Sequence, residues 1–147
     1  MEWLNALRGA VVGLDTAPVI YYIEENEDYL GAVQPFFEAL DKSAFQVVTS
    51  TLTLMEALVH PVRRGDVELA DQYRDILLNS DGLKTVAVTH AIAEIAAQLR
   101  ARYVIRTPDA IQVATAIHQG ATFFLTNDSR LSVISELQVL LLNELVS

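Results

Sequence analysis

A chain of 147 residues with 52% apolar content is the size of one domain with a substantial core, and no run in it approaches the ~18 continuous apolar residues of a membrane span. Its formal charge of −9 disfavours loose, sequence-independent binding to nucleic acid, which draws its free energy from many cation–phosphate contacts. The absence of cysteine excludes disulfides, thiolate metal sites and cysteine nucleophiles, so any metal must be held by oxygen or imidazole.

The start, MEWLNALRGA, lacks a basic end followed by an apolar stretch and a cleavage site, so the expected location is the cytoplasm. AVVGL, residues 10 to 14, is a short apolar strand that stops at Asp15. Thr16 and Pro18 then read as the N-cap and first-turn proline of a helix running to Glu24. A second helical block, from about Asp28 to Leu40, contains Pro35, which must kink it or mark its true start. QVVTS, 46 to 50, is the next strand. TLTLMEALVHPVRRG follows as a helix with Pro61 and Gly65 near its end, and DVELADQYRDILLNSDG as another, closed by Gly82.

LKTVAV, 83 to 88, is a third strand, and Thr89 opens a helix whose 3.6-residue period runs through Ile92, Ile95, Ala96 and Leu99. Thr107 and Pro108 cap the next helix, TFFLT is a fourth strand, and LQVLLL supplies a fifth. Unbroken apolar strands separated by helices imply a mostly parallel sheet covered on both faces. The expected fold is therefore a single-domain, three-layer α/β/α sandwich spanning 1–147.

In an open parallel sheet, ligands bind beyond the carboxyl ends of the strands. Asp15 follows the first strand directly and Asp128 follows TFFLT, so both project at one rim if those strands are parallel neighbours. Asp109 falls in the first turn of its helix. Glu56 lies at the edge of an apolar helical stripe of Leu52, Met55, Leu58 and Val59, a position that can line a cleft. Each acid also has an ordinary use, as a cap, a partner of the helix dipole or a surface residue. Four convergent carboxylates would raise one another's pKa values, and such a cluster implies a bound cation, Mg²⁺ or Mn²⁺. That ion leaves room for phosphate oxygens, and its charge would activate water and stabilise a departing oxygen.

Eight of the ten basic residues are arginines, and Arg100, Arg102 and Arg106 come just before Asp109. They read either as a solvated helix end with favourable dipole contacts or as bidentate phosphate ligands. Arg102, Arg106 and Arg130 are the candidates for phosphate contact. His60, His90 and His118 show no paired H-x-x-x-H spacing and read as core or surface residues. There is no phosphate-binding G-x-x-x-x-G-K loop, no dinucleotide fingerprint and no G-x-S-x-G elbow.

LDTAPVIYYIE, the STLTLME run ending at Glu56, and TPDAIQVATAIHQGATFFLTND, in this order, resemble a PIN domain. PIN domains of this sort occur as VapC-like nuclease toxins in bacterial type II toxin–antitoxin pairs. The resemblance covers nearly the whole chain. It implies a metal-dependent ribonuclease using Mg²⁺ or Mn²⁺, with Asp15, Glu56, Asp109 and Asp128 as the catalytic and metal-holding set. It also implies that Thr126 stands beside the acids, with Thr16 and Asn127 as further supporting polar candidates. A homodimer is common in the family, and the expected partners are an RNA substrate and a small antitoxin protein. MEWLNALR is a departure, because family members often begin directly with the first strand. A haloacid-dehalogenase phosphatase would need a second aspartate where Ala17 stands, and a receiver domain would need paired acids after the first strand. The remaining alternative is a catalytically inactive PIN-like scaffold that binds a partner through its apolar surface.

Overall fold

Short β-strands rich in apolar residues are stable where both faces of their sheet are covered, and the computed structural model, which describes residues 1–146, arranges them so. The order of elements is α1 (Glu2–Ala6), β1 (Val11–Leu14), α2 (Thr16–Ile23), α3 (Leu30–Asp41), β2 (Gln46–Ser50), α4 (Thr51–Arg64) and α5 (Val67–Asn79). There follow β3 (Leu83–Val86), α6 (His90–Arg102), α7 (Thr107–His118), β4 (Phe123–Thr126), a 3-10 turn (Ser129–Val133), β5 (Gln138–Leu141) and α8 (Leu142–Leu145). The strands form one five-stranded sheet in the order β3-β2-β1-β4-β5, with every neighbouring pair parallel. No described helix is long and apolar enough to cross a membrane.

Alternate strand residues feed two separate cores. Val12, Leu14 and Val47 pack with Val19, Phe36, Phe37, Tyr73 and Leu77 on the face covered by α2, α3 and α5. Val48 and Phe124 pack with Ile92, Leu99, Ala110, Val113 and Ala114 on the face covered by α6 and α7. Gly13 faces this second layer, and a Cβ there would lie 2.5 Å from the Ala116 Cβ and 2.7 Å from Phe124 Cδ1. The missing side chain lets α7 lie close against β1, and α7 carries Asp109 in its first turn.

Several local expectations shift. Asp15, not Thr16, is the N-cap of α2, accepting from the Thr16 N–H at 2.9 Å. Arg106, not Thr107, occupies the cap of α7 and makes no capping side-chain bond. In both places the threonine ahead of the proline has already turned helical, so the cap falls one residue earlier. Pro35 neither begins nor ends α3, because the burial of Phe36, Phe37 and Leu40 carries the helix through the one missing backbone donor. Helix α5 ends at Asn79, and Gly82 instead takes a left-handed φ of 81° in the turn before β3. The segment MEWLNALR forms α1 and packs on the first core, with Leu7 fully buried and Trp3 stacked on Phe36 at 6.3 Å.

The buried face of α4 is also different from the expected stripe. Thr53, Ala57 and Pro61 face inward, while Met55 is 53% exposed and Val59 37%. Small residues let the helix approach its neighbours, and the polar Thr53 is accommodated because its hydroxyl is hydrogen-bonded inside.

Candidate active site

Strands β1 and β4 are adjacent and in register through Leu14 and Leu125, and the pairing extends past the strand end, where the Asp15 N–H donates to the Leu125 carbonyl at 3.0 Å. Asp15 therefore leaves the sheet at the same rim as Thr126, Asn127 and Asp128. Glu56 reaches that rim from the second turn of α4, which starts directly at the carboxyl end of β2. Asp109 reaches it from the first turn of α7. All four carboxylates line one cleft of about 460 Å³, with Thr16, Tyr21, His60, Arg106, Gln112 and Asn127 also in its wall. His90 and His118 do not line it.

The carboxylates sit in unlike surroundings. Asp15 accepts from the Thr126 hydroxyl at 2.7 Å and from the Thr16 N–H. Burial pushes its pKa above the usual aspartate value; the bonds from Thr126 and Thr16 pull it back, and the charges of Asp109 and Glu56 add to the rise. Glu56 accepts from the Thr16 hydroxyl at 2.6 Å. Asp109, only 8% exposed, meets the Arg106 guanidinium at 3.3 Å. Asp128 is held by Arg130 through two contacts, at 2.7 and 3.0 Å, and this hydrogen bonding draws its pKa down. The Asp128 N–H also donates to Thr126 Oγ1 at 3.1 Å, so one threonine ties Asp15 to Asp128.

A buried hydrogen-bond network lies behind these groups, and Gln112, absent from the expected site residues, is at its centre. The Gln112 side-chain amide nitrogen donates to Thr53 at 2.7 Å and to Thr16 at 3.3 Å, while its oxygen accepts from Ser50 at 2.8 Å. The Thr53 and Thr49 hydroxyls share a bond of 2.7 Å, and Thr49 donates to the Leu14 carbonyl at 2.7 Å. Because Gln112 donates to Thr16, the Thr16 hydroxyl keeps its own proton for Glu56. A glutamine three residues after Asp109, on a helix otherwise apolar from Ala110 to Ala114, was the available clue.

Of the candidate phosphate ligands, Arg106 lines the cleft and Arg130 stands at its edge on Asp128. Arg102 pairs with Glu136 at 3.0 Å and does not line it. Asn127 donates to the Tyr21 hydroxyl at 3.3 Å, and its buried side-chain oxygen has no partner.

The matching family model is the PIN domain, over residues 12–137. The chain belongs to the PIN domain family. No curated protein matches it at the level of sequence. Among solved structures, this PIN domain is similar to VapBC2 from Rickettsia felis bound to a promoter DNA fragment, at 20% identity and a TM-score of 0.69, covering 88% of this chain and 97% of the other. It is also similar to Mycobacterium tuberculosis VapC20, described as a Sarcin-Ricin loop cleaving toxin, at 19% identity and 0.68, covering 88% and 99%. A toxin–antitoxin complex from Klebsiella pneumoniae matches at 22% identity and 0.67, covering 91% and 98%. At these identities the likeness is one of fold.

The four carboxylates of the PIN domain cleft and the unpartnered Asn127 side-chain oxygen are oxygen donors, which suit a hard divalent cation in kind, and His60 adds an imidazole to the wall. Among the described residues, however, no three His, Asp or Glu side chains are gathered closely enough to hold an ion as they stand. Arg106 and Arg130 occupy two of the four carboxylates.

Proposed function

We propose that this PIN domain is a divalent-cation-dependent endoribonuclease that hydrolyses RNA phosphodiester bonds, and that it acts as the toxin of a toxin–antitoxin pair. The observation that carries the reading is that Asp15, Glu56, Asp109 and Asp128, from four separate chain segments, line one cleft at the carboxyl rim of a parallel sheet. These four would hold Mg²⁺ or Mn²⁺. When bound, such an ion would supply positive charge to the phosphate and acidity to water.

The chain's own contribution is orientation. Thr126 and the Thr16 N–H fix the Asp15 carboxylate, and the Thr16 hydroxyl, held by Gln112, fixes Glu56. Arg106 and Arg130 stand at the lip, where a phosphate suits their bidentate geometry as well as the carboxylates they now face. Met55, Val59 and Val62 form an exposed apolar stripe along α4, which supports a homodimer, since such stripes are commonly hidden in symmetric contacts. The solved complexes named above contain antitoxins, which supports a small antitoxin as partner. The alternative, an inactive PIN-like scaffold, draws on the two arginine–carboxylate pairs that leave no three-acid cluster.

The deciding experiment is RNA cleavage by purified protein in Mg²⁺ or Mn²⁺, with and without EDTA. Asp15→Asn and Asp109→Asn should each lose activity by about 10² or more, because each deletes a charge that serves phosphate chemistry worth several kcal/mol. Asp75→Asn, on the exposed side of α5, should be nearly silent. Cleavage that persists in EDTA, or equal cutting by all three variants, makes the scaffold the better reading.

A further inference from the structure

Beside the acidic cleft lies a second depression of about 320 Å³, and the two share Arg106 and Asp109 in their walls. Arg100, Arg106 and Arg130 surround it, over a floor of Ile105 and Leu131 and a rim at Val104, which is fully exposed. Three of the eight arginines in a chain of net charge −9 thus gather at one place.

Arg100 is unlike the other two. Its Nε donates to the Ile105 carbonyl at 3.1 Å and one terminal nitrogen donates to the Thr107 hydroxyl at 2.8 Å. Both acceptors are neutral, and among the described residues no carboxylate pairs with it. The guanidinium is therefore held in place with its charge uncompensated and with N–H donors to spare, out of five. Ion pairing explains Arg106 and Arg130 without any ligand; it does not explain Arg100.

We propose that this second depression is the substrate track, a subsite where the backbone of single-stranded RNA lies beside the nucleotide being cut, with Arg100 as its fixed phosphate contact. The inference rests on the nuclease reading of the adjoining cleft and names where the substrate runs. The volume is at the small end of the ~300 to 1,000 Å³ typical of ligand pockets, suited to a single nucleotide unit rather than a duplex. Ile105, Leu131 and Val104 give sugar and base an apolar surface, while guanidinium groups bond phosphate and can stack on unpaired bases. The acidic remainder of the surface repels RNA elsewhere, which restricts binding to this path.

The test separates binding from cleavage. Asp15→Asn protein is titrated with labelled single-stranded oligouridine in Mg²⁺ over a range of salt concentrations, alone and combined with Arg100→Ala or Arg100→Gln. Each phosphate contact on a single strand contributes a slope of roughly 0.7 in log K against log salt, so both Arg100 changes should reduce the slope by about that amount. Gln keeps a donor at the place of Nε, toward the Ile105 carbonyl, which guards against a loss caused by loop disorder; Arg74→Ala, paired with Asp71 on α5, should leave the slope unchanged. An unaltered slope in Arg100→Gln, or no salt-dependent binding by the Asp15→Asn parent, overturns the track. Wild-type cleavage with an unaltered slope would reject the track and keep the nuclease. A reduced slope without wild-type cleavage would keep the track and reject the nuclease.

Discussion

Asp15 and Glu56, on the sheet side of the cleft, accept only from neutral donors, whereas Asp109 and Asp128, on the side of α7 and the 3-10 turn, each face an arginine. Buried hydroxyls and an amide orient the first pair without neutralising it. The second pair is partly compensated and sits beside guanidinium groups that are 65% and 62% exposed. The contrast divides two tasks within one site. One side keeps negative charge concentrated and rigid, which suits an ion. The other keeps exchangeable partners, which suits a substrate phosphate arriving from solvent.

The largest expected effect comes from forcing the two sides apart. Gly13→Ala places a methyl group against Ala116 and Phe124, and the contact on α7 is a Cβ that cannot rotate away. Helix α7, with Asp109 and Gln112, must then shift from the sheet. A loss of about 1 to 3 kcal/mol is expected from overpacking of this kind, read by denaturant unfolding. Unchanged stability would mean that α7 is not held to β1 as tightly as these distances imply.

Next in size is Gln112→Leu, which keeps the volume roughly and removes every side-chain hydrogen bond that Gln112 makes. Ser50 and Thr53 are fully buried, so their hydroxyls lose a partner without access to water, at a cost of about 1 to 3 kcal/mol. Thr16 also loses its donor, and its hold on Glu56 loosens. Activity should therefore fall further than unfolding alone accounts for when measured well below the melting temperature. Full activity at reduced stability would limit the network to a structural role.

Thr53 and Gln112 mark the limit of what the sequence made legible. The strands were legible because burial on both faces leaves short apolar runs between the helical blocks, as in AVVGL, whose last four residues form β1. The rim positions of Asp15 and Asp128 followed from strand order, and the adjacent parallel pairing of β1 and β4 bears that out. The stripe of Leu52, Met55, Leu58 and Val59 misled, because a polar residue such as Thr53 reads as solvent-facing on an amphipathic helix unless its buried partners are known. Gln112 is a partner of that kind, 59 residues away in sequence from Thr53. The arginine pairs are local, Arg106 with Asp109 on one turn of helix and Arg130 beside Asp128, but spacing alone does not tell whether a guanidinium on a long side chain turns to that carboxylate or to solvent.

A smaller effect tests the charge state of the sheet side. The Asp15 carboxyl is raised above its ordinary pKa by burial, so the folded state favours its protonated form. Its contribution to stability is present below the unfolded-state value and is lost as pH rises through the folded-state value, leaving Asp15 a liability at neutral pH. Asp15→Asn should therefore melt higher than wild type at pH 7, read by thermal unfolding. The gain should shrink toward zero as pH falls to the ordinary aspartate range, where the wild-type group is neutral as well. A gain that does not depend on pH would have to come from something other than this charge.

The smallest effect belongs to the arginine side, and its size matters because the comparison depends on it. Arg130→Ala breaks the bidentate contact to Asp128, but the guanidinium is 62% exposed, and solvent-exposed ion pairs contribute little to stability. Stability should therefore hardly change. Asp128 would also lose the partner that lowers its pKa, so its carboxylate should titrate nearer the ordinary aspartate value, measurable by NMR on the side-chain carboxyl. The freed carboxylate would still face the cleft, and Arg106 would remain on Asp109. If the arginines are exchangeable partners, Arg130→Ala should bind Mn²⁺ at least as tightly as wild type while handling RNA less well. Weaker Mn²⁺ binding in a folded Arg130→Ala protein would instead make Arg130 a positioning residue for Asp128, and the division between a rigid side and an exchangeable side would fail there.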